Sequence, residues 1–195
     1  MRFFFSLTGM LALGVAAVSV ATAGELSNRR APGFALPDSN VNFHDLADYR
    51  GKIVLVDLIK TSCPVCNSSH RILESVRQKY PGKVAILSIV PSTEDNAGTV
   101  RQFIGNNAVK TPVLFDCGQV MASYLKLTPQ KSNIGLPHLF LIDANGVIRN
   151  DWEYAGGGTT SVFEALPPLL KEVEALLNAP AAPAPAGAAQ APVKK

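Results

Sequence analysis

Residues Val54–His70 read VLVDLIKTSCPVCNSSH, a short apolar run that ends in two cysteines separated by two residues. This junction constrains the fold more than any other part of the chain. Ile53–Leu58 is rich in β-branched residues and follows Gly51–Lys52, so it reads as a buried strand. Pro64 suits a first helical turn, where its missing N–H would have no partner anyway. Apolar residues then recur at Val65, Ile72, Leu73 and Val76, near helical spacing, until Tyr80-Pro81-Gly82 stops the helix. The chain therefore passes from a buried strand into a helix, with the cysteines at the joint.

The pattern continues downstream. Val84–Val90 is a second buried strand, Gly98–Ala108 a helix, Pro112–Phe115 a short extended piece and Cys117–Leu125 another helix. His138–Asp143 is a strand, Asn145-Gly146 a hairpin turn and VIRNDW the returning strand. The glycines at 156–158 break the chain before a last helix, Ser161–Asn178, which Pro167-Pro168 is expected to interrupt near its middle. Strands alternating with helices predict an α/β fold, a mainly parallel sheet covered on both faces, with the hairpin adding antiparallel edges. The segment before Gly51 reads as a short N-terminal β extension.

The ends differ from this body. Arg2 precedes an uncharged, largely apolar run that closes on Ala21-Thr22-Ala23, the small-x-small pattern of a signal peptidase site. The expectation is a leader, residues 1–23, that directs export to the periplasm or another extracytoplasmic space. The Ala-x-Ala site favours cleavage over an uncleaved membrane anchor. Ala179–Lys195 is nearly all alanine and proline and offers too little apolar area for a core, so it reads as a disordered tail. Residues 24–178 remain as one domain large enough for a real core. A formal charge of +3, with no basic stripe carrying interleaved aromatics, argues against nucleic acid.

Three cysteines in an exported chain do not make a disulfide scaffold, which usually carries a larger, even number. The close pair is therefore read as chemical. At a helix N-terminus Cys63 meets unpaired N–H groups and the positive end of the helix dipole, which favour a thiolate. Cys66, one turn on, is within disulfide reach and more shielded. An exposed attacking sulfur beside a shielded resolving one is what thiol–disulfide exchange requires. Asp57, a lone acid inside the apolar strand, is either a proton carrier for the resolving thiol or an edge or satisfied structural acid. A zinc site would need two more ligands, and only Cys117 and three histidines remain, without metal-like spacing.

These residues resemble the thioredoxin superfamily, and within it the exported TlpA/ResA-like group of the redoxin, AhpC/TSA-like class. The resemblance rests on APGFALPDSN and FHDLADYRGKIVLVDL as the lead-in, on CPVC, and on GLPHLFLIDANGVI, and runs from about Ala31 to Leu177. It implies a thioredoxin-like fold, with a central mixed sheet flanked by helices. It implies an enzyme, a thiol–disulfide oxidoreductase with Cys63 as nucleophile and Cys66 as resolving thiol. Asp57 matches the buried acid of thioredoxin, and Pro137 the cis-proline that faces the cysteine pair and helps seat the substrate. Pro64, Val65, Leu136 and His138 are the substrate-binding positions implied. The implied partners are protein thiols and disulfides and a membrane electron donor or acceptor protein, with no cofactor or resident metal and a monomeric chain.

The chain also departs from that pattern. Ser62 stands where an aromatic usually precedes the first cysteine, LIKTS replaces the aromatic segment, and Ser69 replaces a glutamate of the ResA-like proteins. His138 replaces the usual threonine, and either acts on Cys63 or, the favoured reading, simply begins a strand. His70 is read as packing or solvent-exposed. Cys117 is either a reactive thiol at its own helix start or, preferred, a buried or idle one. A peroxiredoxin-like peroxidase would need PxxxTxxC, but Lys60 and Val56 stand where the threonine and proline belong. A Sco-like copper-binding protein would use CxxxC and a distant histidine, although soft thiolates still suit Cu(I).

Overall fold

The computed structural model describes residues 23–130, 132, 135–154 and 162–179. The expected leader up to Thr22, the glycines at 156–158, Ser161 and the tail beyond Ala179 lie outside the described residues. The chain forms β1 (Arg29–Arg30), β2 (Ala35–Pro37), β3 (Phe43–Asp45), a 3-10 turn (Leu46–Tyr49), β4 (Ile53–Leu58), α1 (Pro64–Lys79) and β5 (Val84–Pro91). It continues through α2 (Ala97–Asn107), β6 (Val113–Asp116), α3 (Gln119–Leu125), β7 (His138–Ile142), β8 (Val147–Glu153) and α4 (Leu166–Asn178).

A six-stranded sheet runs in the order β1-β8-β7-β4-β5-β6. β4, β5 and β6 are parallel, while β7 is antiparallel to both β4 and β8. The sheet is therefore mixed and not mainly parallel: two of its ladders are parallel and three antiparallel, because β7 as well as the hairpin strand β8 and the N-terminal β1 pair antiparallel. The N-terminal extension divides: β1 joins the main sheet beside β8, and β2 pairs with β3 in a separate two-stranded sheet.

The period-two rule assigns the faces. Ile53 and Leu55 of β4 pack with Leu73 and Val76 of α1 and with Leu169 and Val173 of α4. Val54, Val56 and Leu58 pack on the other face, with Val120, Met121 and Tyr124 of α3 and with the N-terminal Leu26 and Phe34. Ile59, Cys66, Val90, Val100 and Phe103 close a third cluster where α1 meets α2. Burying one such aliphatic or aromatic side chain stabilises a fold by about 1.5–3 kcal/mol. All six residues of β4 are buried, so its one acid stands against the trend.

The structure corrects the sequence reading at two further places. Pro167 and Pro168 do not interrupt the last helix. They occupy its first turn, because α4 begins at Leu166, where a proline costs no hydrogen bond. Cys117 does not open a helix. α3 begins at Gln119, and the Asp116 carboxylate accepts from the N–H groups of Val120 and Met121 at 3.1 and 2.9 Å. Cys117 is exposed rather than buried, with its sulfur 3.7 Å from the Ser92 hydroxyl.

Candidate active site

The parallel strands β4 and β5 end at the same edge of the sheet, and β7 begins there, with His138 opposite Leu58. The CPVC turn and the loop before β7 are thereby brought to one edge. Cys63 is the N-cap of α1, with extended backbone (φ −81°, ψ 119°), and its sulfur accepts from the Cys66 N–H at 3.3 Å. The sulfur therefore takes the place of the side-chain oxygen that usually caps a helix. Pro64 follows at the first helical position and is exposed, whereas Val65 is half-buried.

The two thiols sit in unequal surroundings. Both are free; Cys63 is half-exposed and Cys66 fully buried. Burial pushes the Cys66 thiol up, the hydrogen bond with Cys63 and the charge of Asp57 push it further, and the thiol form is held. Asp57 is in phase with Ile53 and Leu55 and so points to the α1 side. It is 1% exposed, and neither carboxylate oxygen has a hydrogen-bond partner among the described residues. Burial raises it to about 7. Of the two readings of Asp57, the edge or satisfied structural acid does not fit these surroundings.

The Leu136–Pro137 peptide bond is cis. Pro137 is buried and in phase with Leu139, which packs on the α1 side. His138 begins β7 and turns to the opposite face, where its ring stacks on Phe140 at 4.5 Å and its Nε2 stands 3.4 Å from Asp151 Oδ2 without hydrogen-bond alignment. Burial raises Asp151, but His138, the Ser27 hydroxyl and the Leu26 N–H together hold it below the ordinary carboxylate range. Leu136 is half-buried against the cluster on that same opposite face. The structure thus brings Cys63 and Cys66 together, sets the charge of Asp57 within reach of Cys66, starts β7 directly after Pro137 beside the end of β4, and turns the His138 side chain to the other face.

Several residues that hold the turn carry no strong signal in the sequence. Asn67 Nδ2 donates to the carbonyls of Thr61 (3.1 Å) and Cys63 (2.7 Å), and Asn67 Oδ1 accepts from Asn107 at the end of α2. Thr61 donates both its N–H and its hydroxyl to Asp95, which also accepts from the Thr99 hydroxyl at 3.1 Å. Lys60 and Glu94 form an ion pair at 2.6 Å. These polar contacts stand where the resembling family has aromatic residues. Asn67, directly after CPVC, was the one position whose place in the motif could have drawn notice.

The fold is thioredoxin-like, with a CxxC pair at the turn from a central strand into a helix. The sequence profile of the AhpC/TSA family matches residues 27–151, and the chain belongs to that family. It is 26% identical over 128 residues to the thioredoxin-like protein YneN of Bacillus subtilis, covering 65% of this chain and 71% of that protein. It is 29% identical over 121 residues to the thiol-disulfide oxidoreductase ResA of Bacillus anthracis, covering 62% of this chain and 65% of ResA. The chain thus spans about two thirds of the length of these relatives. Among solved structures, a thiol:disulfide interchange protein of the thioredoxin family from Chlorobium tepidum superposes with a TM-score of 0.61 at 18% identity, over 82% of this chain and 99% of that one. A secreted disulfide oxidoreductase from Mycobacterium tuberculosis superposes with a TM-score of 0.56 at 17% identity, over 71% of this chain and 95% of that one. Similarity at this identity concerns the fold.

Proposed function

We propose that the protein is an exported thiol–disulfide oxidoreductase that exchanges disulfides with protein cysteines. The observation that carries this reading is the inequality of the pair: a half-exposed Cys63 sulfur that accepts a helix N–H, beside a buried Cys66 thiol. Cys63 attacks the substrate disulfide, and Cys66 resolves the mixed disulfide by attacking the Cys63 sulfur. Asp57 takes the Cys66 proton. Pro137, Pro64 and Val65 form the surface against which the substrate chain lies, with Leu136 at its margin; the His138 side chain supports this surface from the other face. Export removes the pair from cytosolic thiol pools, so a membrane-held protein supplies or accepts the electrons.

The peroxidase alternative is disfavoured by Thr61, whose hydroxyl is occupied by Asp95 instead of facing a peroxide. The Sco-like alternative asks for CxxxC and a distant histidine; the spacing here is CxxC, and His138 faces the other side of the sheet.

The test is to equilibrate the purified protein in glutathione buffers, alkylate free thiols and read intact mass. The expected result is reversible protection of Cys63 and Cys66 with Cys117 still alkylated, and trapping of mixed disulfides at Cys63 in Cys66→Ser. A pair that never closes on itself refutes the exchange reading. N-terminal sequencing of the exported protein, expected to begin at Gly24, tests the leader.

A further inference from the structure

Ser88 and His70 lie beneath α1 and have no part in the exchange chemistry described so far. Ser88 is paired in register with Asp57 across β4 and β5, so the two side chains share the face that α1 covers. His70 lies four residues after Cys66, on the buried face of α1. Its ring meets Phe103 edge-on at 5.7 Å, and Phe103 also belongs to the cluster around Cys66. His70 is 1% exposed and Ser88 fully buried, and neither ring nitrogen nor the hydroxyl has a hydrogen-bond partner among the described residues. Two unpartnered polar side chains in addition to Asp57 are a cost that packing does not explain.

The geometry relates them. α1 runs back along β5, antiparallel to it, and Cys66 packs in one cluster with Val90. One step of four residues along the helix covers about 6 Å, and two residues back along a strand cover about 6.6 Å. By this spacing Ser88 is the strand residue level with His70. By the same spacing Cys66 and His70 on the helix and Asp57 and Ser88 on the sheet make up one buried polar patch.

We propose that His70 is a second proton acceptor for Cys66, working beside Asp57 across the Ser88 hydroxyl. This rests on the exchange reading above. In the resolving step the Cys66 thiol gives its proton to the patch. The thiolate attacks the Cys63 sulfur, and the bond from Cys63 to the substrate sulfur breaks. The substrate leaves as a thiolate and takes a proton from solvent. One disulfide is formed within the protein, and the substrate disulfide is reduced by the two electrons of the dithiol. Burial lowers the pKa of His70 while Glu74 on α1 opposes this, so the ring rests as the neutral base that such a role needs. α2 presents the uncharged Phe103 ring to it and β5 presents Ser88; Asp57 acts electrostatically on Cys66.

The test measures the pH profile of mixed-disulfide resolution by rapid mixing with oxidised glutathione, in the full protein, Asp57→Asn, and Asp57→Asn/His70→Gln. Expected is a residual pH-dependent limb in Asp57→Asn that the second substitution removes, with a further loss of about tenfold. Equal rates and equal profiles in the two variants overturn the inference while leaving the exchange reading intact. Absence of exchange in the unaltered protein overturns both. Should the double variant fail to fold, the ring nitrogens of His70 are titrated by NMR in the unaltered protein. A midpoint differing by about one pH unit between dithiol and disulfide forms supports the coupling, and an unchanged midpoint overturns it.

Discussion

Asp57→Asn should flatten the pH dependence of stability. In the folded protein Asp57 is fully buried, and burial raises it from an ordinary 3.8 to about 7. Between those values the folded state holds a proton that the unfolded state has released. Stability therefore falls as pH rises through that window and levels off above it. The window spans about three pH units at about 1.4 kcal/mol each, so the contribution lost between pH 4 and pH 7 is about 4 kcal/mol. Asparagine has a similar shape and no titration, so subtracting its curve cancels the other ionising groups. The assay is urea unfolding of both proteins with the thiols kept reduced, at half-unit steps from pH 4 to pH 8.5. The difference should swing steadily in favour of the variant up to about pH 7 and then stay constant. A flat difference over the whole range would mean that Asp57 is charged in the folded protein, and the proton-carrier role would fall with it.

Thr61→Val removes one of the two hydroxyls that donate to Asp95 and should cost about 1–3 kcal/mol in urea unfolding, with slower exchange because the turn holding Cys63 is loosened; full stability would show that the clamp is idle. Gly24→Ala would place a Cβ 2.3 Å from Asp151 Oδ1, so the N-terminal turn must shift. A loss of about 1–3 kcal/mol is expected, and an unchanged unfolding midpoint would mean that this turn is not held on β8.

What the sequence made legible was whatever local chemistry decides. The β-branched run Ile53–Leu58, Pro64 behind Cys63 and the Asn145-Gly146 turn act over a few residues, and each lies where its pattern placed it. The errors arose where a local cue has two readings. Pro167-Pro168 breaks a helix or begins one, and only the docking of Leu169 and Val173 against the sheet fixes the start at Leu166. Cys117 and Gly118 both precede an apolar run, and the capping contact of Asp116 decides between them. The clamp on the redox turn was illegible because it joins distant positions. Thr61 meets Asp95, and Asn67 meets Asn107, only after α2 has packed on α1. Ser88 is the one polar residue in VAILSIV, but its register partner depends on sheet pairing.

The stability cost of Asp57 follows from the same geometry that separates the two thiols. Cys66 must be buried to be shielded from competing disulfides, and burial makes its thiolate expensive. A solvent base cannot reach a fully buried sulfur, so the proposed exchange step calls for a buried acceptor. A carboxylate with an ordinary acidity would be too weak a base to take a thiol proton. An apolar strand with no counter-charge raises it to about 7, close to neutral pH. The neighbours of Asp57 across the sheet are Ser88 and Leu139, neither of them charged. A lysine or arginine at either position would pair with the acid. The same pairing would lower its pKa and weaken it as a proton acceptor. The unpaired acid in β4 and the proton acceptor proposed for the thiol at α1 are two sides of one arrangement.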